Sequence, residues 1–328
     1  MLNDLIIFEM ANNHQGLLSH ALNIVDKYSN ISKKNKINSA IKLQYRDLNT
    51  FISKQELQKK QNKHVGRFIS TSLNRKEFKK ICLRIKKQNL KLIITPFDEQ
   101  SVENAIEDKV DILKIASCSS TDWPLLEKIA IYNKPVIFST GGQNFESIDN
   151  IYSFFSHKNL EFAIMHCVSI YPTELRQAQL SMIKKFLSRF PDVKIGYSGH
   201  ERPDDLTTVQ VAIGCGATIF ERHIGIPNKS IKLNSYSMNP IQTNKWVECI
   251  IKSKKSLGNS KKKNIPFIEK TSIEDLQRGI FANKKIAKGK KIKLNDIYYA
   301  FPLQKNQISS GEFSNNIKAT KNYKPHDA

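Results

Sequence analysis

Two histidines, two lysines and a series of hydroxyl and amide groups stand where short apolar runs of this chain end. The stretch VKIGYSGHERPDD, residues 193–205, delivers His200 just where an apolar run turns through glycines, and TIFERHIG, residues 218–225, delivers Glu221 and His223 in the same manner. Imidazoles on neighbouring strands, whose axes lie ~4.8 Å apart, could share a metal ion at about 2.0 to 2.2 Å. Two protein ligands leave several coordination positions open for substrate and water, which is a Lewis-acid arrangement and not a structural clip. The competing reading is two histidines that only hydrogen-bond loops. Lys42 in SAIKLQY and Lys114 in DILKIAS lie inside apolar runs. A charge there costs several kcal/mol unless it is paired, which favours a bound anion such as a phosphate or carboxylate.

Other runs end in hydrogen-bonding groups: Asn12, Asn13 and His14, then Gln44, Thr95, Ser117, Ser139, His166 with Ser169, and Ser198. Each alone is an ordinary turn former. Their recurrence at the same end of successive runs asks for a fold that gathers strand ends on one face. The runs fall at 5–11, 39–45, 90–97, 111–117, 135–140, 162–167, 193–199 and 218–225, and read as eight strands. Segments of helical spacing lie between them, so the chain is expected to be α/β, a (β/α)8 TIM barrel with its chemistry at the C-terminal mouth. A doubly wound open sheet is the alternative, but EMANNHQG after the first strand lacks the glycine-rich fingerprint of that fold. Residues 46–74 are long for a loop and should fold over the mouth as a lid or partner contact.

Domains are expected at 1–265 for the barrel and 266–303 for a small β-rich module, where RGIFANKKIAKGKKIKLNDIYYAFPL alternates β-like runs with a Lys-Gly-Lys turn. Residues 304–328 are polar with little periodicity and read as a tail, disordered or the stub of a longer chain. With 328 residues and 40% hydrophobic content there is enough material for a sizeable core. No run approaches the ~20 apolar residues of a membrane span. The N-terminus carries an acid where a secretory signal would be basic, so a cytoplasmic location without membrane association is expected. Five scattered cysteines without a CxxC pair indicate neither a disulfide framework nor a thiolate zinc site. The net charge of +22 is spread over many lysines. No arginine-aromatic stripe or helix-turn-helix signal points to nucleic acid, although a positive field would favour anionic substrates.

The motifs IIFEMANNHQG, IKLQ, TPFDEQSVE, LKIAS, VIFSTGG, HCVSIYPTE, GYSGHE, ERHIG and ANKKIAKGKKIKLNDI, in this order, resemble the N-acetylneuraminate (sialic acid) synthase family. Its members are phosphoenolpyruvate-dependent enzymes, with a barrel followed by an antifreeze-like (SAF, β-clip) domain. The resemblance implies a transferase that joins phosphoenolpyruvate to an open-chain aldose, giving a sialic-acid-like 3-deoxy-ulosonic acid and phosphate. It implies phosphoenolpyruvate contacts from Lys42, Thr95, Lys114, Ser117, Ser139, Ser169 and Ser198, with Ser169 where many members have Asn. Sugar contacts would come from Gln15, Gln44 and Tyr171, and His200 and His223 would bind a divalent ion such as Mn2+ or Mg2+. Glu9 and Glu221 are the carboxylates implied for proton handling, beside Lys42 and Lys114. A domain-swapped homodimer, each antifreeze-like domain capping the partner's barrel, is implied as well.

The departures from the family pattern gather where the acetamido sugar is recognised. Ser119 replaces an acid, Leu233 falls at or beside another, and Phe301 stands in place of an arginine. Gly199 and Glu201 replace the usual Asp and Thr around His200. An acceptor other than, or broader than, N-acetylmannosamine is therefore expected. An ordinary N-acetylneuraminate synthase and a catalytically silent barrel acting as a binding or assembly module are the other readings.

Overall fold

The computed structural model describes residues 2–59, 62–258 and 263–328 of the chain. Eight parallel strands close on one another in chain order: β1 (Ile6–Glu9), β2 (Ser39–Tyr45), β3 (Lys91–Pro96), β4 (Ile112–Ile115), β5 (Val136–Ser139), β6 (Phe162–Cys167), β7 (Lys194–Gly199) and β8 (Ile219–His223). β1 closes the ring by pairing with both β2 and β8, Glu9 lying opposite Lys42 on one side and His223 on the other. Helices follow the strands and cover the outside, so this is the expected (β/α)8 barrel.

The two-residue period of a strand decides what each residue faces. Leu5, Ile7, Ala40, Ile93, Ile112, Ile137, Ala163, Met165 and Ile219 form one buried cluster that fills the barrel, while Ile6, Phe8, Ile41, Leu43, Phe138 and Ile164 pack outward against the helices. Two residues further along the inward parity, every strand except β6 carries a polar group: Glu9, Lys42, Thr95, Lys114, Ser139, Ser198 and Glu221, every one buried. The apolar plug thus supports a polar layer directly above it, and the pleat aims that layer at the mouth.

The segment 46–74 is largely helical. Its described residues include the short helices Leu48–Phe51, Lys54–Lys59 and Lys63–Ser70, two of them capped by Asp47 and Asn62 side chains. The following helix, Arg75–Lys87, starts on a reciprocal capping box between Asn74 and Glu77, which fixes where the excursion ends.

Residues Asn259–Ala328 form a second compact unit, so the division falls at 258 rather than 265, and the helix Phe267–Glu274 belongs to this unit. Its strands β9 (Gly279–Ala282) and β10 (Ile297–Ala300) pair antiparallel. Residues 304–328 are not a disordered tail. Ser309 pairs with Gly279, Lys318 with Lys291 and Tyr323 with Ile286. Ala319 joins the core of Ile280, Ala282, Ile286 and Ile297, with Phe313 and Tyr323 packed against it. Apolar residues spaced this sparsely show no periodicity, yet single bridges suffice to carry each one to a small core.

Candidate active site at the barrel mouth

The two buried lysines have different surroundings. Lys42 Nζ lies 2.8 Å from Glu9 Oε2 and 2.8 Å from Glu221 Oε1, bridging the strands on either side of β1. Ser198 Oγ donates to the same Glu221 oxygen at 3.2 Å, and Gln44 Nε2 donates to Glu9 Oε1 at 3.0 Å. Burial pulls the Lys42 ammonium down to about 8. Against the upward push of burial, Lys42 and Lys114 hold Glu221 well below the usual carboxylate range. Both directions leave Lys42 and Glu221 ionised at neutral pH. The anion expected at Lys42 is therefore supplied in part by the protein itself.

Lys114 has no carboxylate partner among the described residues. Its ammonium donates to the Ile115 carbonyl at 2.9 Å and, through a short contact, to Ser139 Oγ. Around it lie further unsatisfied or loosely engaged groups. Thr95 Oγ1 and Glu221 Oε2 are buried without a hydrogen-bond partner, and Ser117 Oγ accepts from Gly141 N at 3.0 Å while facing Cys167 Sγ at 3.2 Å. Gly141 is required here: a Cβ would run into Ser169 Oγ and come within 2.8 Å of Ser117 Oγ. A buried lysine with hydroxyls and one backbone amide around it, and no carboxylate partner among the described residues, has the chemistry to accept an anion.

Across the mouth, the His200 and His223 rings lie with centroids 5.4 Å apart. His200 Nδ1 meets the Val168 carbonyl at 3.0 Å, which places the proton on Nδ1 and leaves Nε2 with a free lone pair. Burial lowers His200 to about 4 and His223 well below its ordinary value, so both imidazoles are neutral, the form that ligates metals. The donor chemistry fits a divalent ion. Among the described residues no group of three or more His, Cys, Asp or Glu side chains is placed to hold one, so the pair would leave most coordination positions open. Tyr171 packs on His200 at 4.5 Å, and Tyr236 stands edge-on to His223 at 5.1 Å and lies 5.1 Å from Tyr171.

The two departures flanking His200 are one structural event. Glu201 is buried, ion-paired to Arg222, and accepts from Tyr197 OH at 3.0 Å and Thr208 Oγ1 at 2.6 Å. A Cβ on residue 199 would come within 2.5 Å of Glu201 Oε2. Glycine at 199 thus makes room for the acid at 201. Arg222, between Glu221 and His223, also donates to the Glu201 carbonyl at 2.7 Å and so ties the His200 turn to β8.

The remaining residues singled out in the sequence divide. Asn12 reaches from the β1 loop to Thr71 Oγ1 at 2.9 Å, and His14 and Gln44 line a cavity between that loop and residues 68–78. Gln15 stands in the same loop in left-handed backbone, outside that lining. Asn13 is a clamp, donating to the Ile224 carbonyl at 2.7 Å and to Ser237 Oγ at 3.1 Å. His166 has the outward parity of β6 and is bound to the Ala178 carbonyl at 2.8 Å, away from the mouth. Leu233 packs beside Gly225, Ser119 is buried in the turn after β4, and Phe301 is an exposed residue of the second unit. Tyr236, Arg46 and the Glu201–Arg222 pair were not evident beforehand. Their only sequence signal was an aromatic just before SMNP, an arginine just past a strand end, and opposite charges 21 positions apart.

The NeuB family pattern matches residues 32–262. The chain belongs to the NeuB family. Over 99% of its length and 98% of the relative's, it is 30% identical to an N,N'-diacetyllegionaminic acid synthase of Campylobacter jejuni. It is 31% identical over 200 residues to the N-acetylneuraminate-9-phosphate synthase of Mus musculus, 60% of this chain and 55% of that one. With the human and Drosophila counterparts included, it spans between 37% and 55% of the length of these animal relatives. Among solved structures, a candidate spore coat polysaccharide biosynthesis protein E of Chromobacterium violaceum superposes with a TM-score of 0.94 at 37% identity, over 98% of this chain and 97% of that one. An N-acetylneuraminic acid synthetase of Leptospira borgpetersenii, in complex with citrate, reaches 0.72 at 31% identity over 82% and 90%. No described helix is long and apolar enough to cross a membrane, and the five cysteines are free thiols.

Proposed function

We propose that this NeuB-family member is a phosphoenolpyruvate-dependent condensing synthase. It would form a carbon–carbon bond between C3 of phosphoenolpyruvate and the aldehyde carbon of an open-chain aldose, add the oxygen of water at C2 and release inorganic phosphate, leaving a 3-deoxy-ulosonic acid. The observation that carries this reading is Lys114, a buried lysine with hydroxyls around it and no carboxylate partner among the described residues, at the same barrel mouth as the Lys42–Glu9–Glu221 cluster and the neutral histidine pair. Relatives named as synthases of N-acetylneuraminate-9-phosphate, legionaminic and pseudaminic acids support it.

In this reading Lys114, Ser117, Ser139, Ser169 and Thr95 hold the phosphate and carboxylate, with Lys42 and Ser198 at their edge. They fix the enol for attack, so that much of the rate comes from orientation. His200 and His223 would hold a divalent cation such as Mn2+ or Mg2+, whose charge, when bound, polarises the acceptor's carbonyl. Glu221, kept ionised by Lys42 and with Oε2 buried without a hydrogen-bond partner, would hold a proton released from water; Glu9 is the second carboxylate of the same cluster. Gln44, Tyr171 and Gln15 would face the sugar. Tyr171 and Tyr236 wrap the histidines and limit water there.

The acceptor would be other than, or broader than, N-acetylmannosamine, because Ser119, Leu233 and Phe301 remove two acids and an arginine from the sugar contacts. The second unit would be the antifreeze-like module, capping the partner's barrel in a cytoplasmic homodimer. Phosphate release that requires phosphoenolpyruvate, an aldose and a divalent metal together supports the synthase, and no release with any aldose overturns it. Strict preference for N-acetylmannosamine across an aldose panel overturns the acceptor assignment. Full activity in a monomer would overturn the capping.

A further inference from the structure

Arg46 follows β2 directly, two residues beyond Gln44, and is half-buried without an ion pair among the described residues. Its guanidinium carbon lies 3.6 Å from the centroid of Phe97 and 4.2 Å from that of Phe68. Nη2 donates to Gln44 Oε1 at 3.0 Å, and Nε is buried with no partner. The nearest acids are committed elsewhere. Asp98 accepts from Asp47 N at 2.9 Å, and from Ser101 N and Oγ at 2.7 and 2.8 Å. Asp47 caps Asn49 N at 3.0 Å. Arg75, the other arginine nearby, is held by Asp108 and Asn104.

Arg46 lines a cavity of about 480 Å³ together with Asn12, His14, Gln44, Asn49 and Asn74, a volume suited to a small polar ligand. This cavity adjoins the reaction centre. Gln44 belongs to its wall and donates to Glu9, which in turn meets Lys42. His14, in the same wall, is lowered to about 4, by burial first and then by His20 and Arg67, the last on the helix Lys63–Ser70. The phenylalanine rings hold the guanidinium in place, and its in-plane donors are then available to a planar or tetrahedral oxyanion.

We infer that the Arg46 cavity binds an anionic substituent, a phosphate or a carboxylate, at the end of the acceptor sugar remote from its aldehyde. The identity of that molecule as the acceptor rests on the synthase reading; the anion site itself does not. The preferred acceptors are then aldose phosphates or aldoses bearing a carboxylate, with neutral aldoses poorer by tenfold or more in kcat/KM.

The test uses polyols, which have no aldehyde and cannot condense. Binding of sorbitol 6-phosphate, gluconate and sorbitol is measured by calorimetry on the full chain with saturating phosphoenolpyruvate, for the parent protein and for Arg46→Gln, Arg46→Lys and Lys114→Met. Tighter binding of sorbitol 6-phosphate or gluconate than of sorbitol, weakened tenfold or more by Arg46→Gln, partly retained by Arg46→Lys and retained by Lys114→Met, supports the site. Which polyol anion binds more tightly tells phosphate from carboxylate. Equal binding of sorbitol and both anions, or loss in Lys114→Met with none in Arg46→Gln, overturns it. Failure of the synthase reading would show separately, as no phosphate release from phosphoenolpyruvate with any aldose, charged or neutral.

Discussion

The two sides of the barrel mouth use the same side chain for opposite ends. On the β8–β1–β2 side, Lys42 is enclosed by two carboxylates at 2.8 Å. On the β4–β5 side, Lys114 is equally buried and among the described residues meets a carbonyl and a hydroxyl but no carboxylate. Both lysines have inward parity one layer above the apolar plug. The difference lies in their neighbours: β1 and β8 each contribute a glutamate, while β5 contributes a serine. A buried lysine paired by the protein holds strands together and keeps a carboxylate ionised. One left without a carboxylate is the lysine for which the anion-binding role is proposed.

The largest effect that would break this contrast is on activity. Lys114→Met should lower phosphate release from phosphoenolpyruvate by about 10³-fold while leaving the melting temperature unchanged or higher, because an unpaired buried charge is removed. A matching loss of stability would mean that Lys114 is a structural lysine like its counterpart. Lys42→Met should do what Lys114→Met does not, lowering stability by about 3–5 kcal/mol, since Glu9 and Glu221 are left facing each other without their cation. Adding Glu221→Gln should restore part of that stability in a denaturant titration, and strict additivity of the two changes would refute the coupling.

A smaller effect is expected from the ion pair behind the histidine turn. Glu201→Gln keeps the shape but strips Arg222 of its counter-charge, and should cost about 2 kcal/mol with a weaker affinity for divalent metal measured by calorimetry. Unchanged metal affinity would separate the turn from the pair it is argued to position. The smallest effect concerns pH. His14 titrates near 4 in the fold, lowered by burial first, against 6.5 ordinarily. The unfolded chain therefore takes up its proton first, so the stability this group contributes is full above pH 6.5 and is lost as pH falls toward 4. His14→Gln should flatten the stability profile in that interval, and an unaltered slope would show that His14 is not buried as described.

Much of the fold was legible because a barrel repeats one simple unit. Strand ends expected at 39–45, 162–167 and 193–199 agree with β2, β6 and β7 to within a residue. Position toward the ends of the apolar runs also marked the inward polar residues Lys42, Lys114, Ser139, Ser198 and Glu221. His166 escaped this logic, since it lies near the end of its run but has the outward parity that takes it to the Ala178 carbonyl. The second unit was legible only as far as residue 303, because Tyr323 and Ala319 reach its core by isolated bridges with no local pattern. The helices within 46–74 were missed for a related reason: each is eight residues or shorter, too few turns for a helical period to show.

By itself the sequence determined the strand count, the parity that turns its polar residues toward one mouth, and the pair of histidines on adjacent strands. These are local or periodic properties, carried by residue type and spacing. Only the tertiary structure decided which of two identical buried lysines is neutralised, that Gly199 and Glu201 are one substitution, and that Arg46 is held by Phe68 and Phe97 without an ion pair among the described residues. Those facts depend on which side chains meet across tens or hundreds of residues, and burial gives such meetings their energy: a charge leaving water must find a partner, and only the folded chain shows which charges have found one.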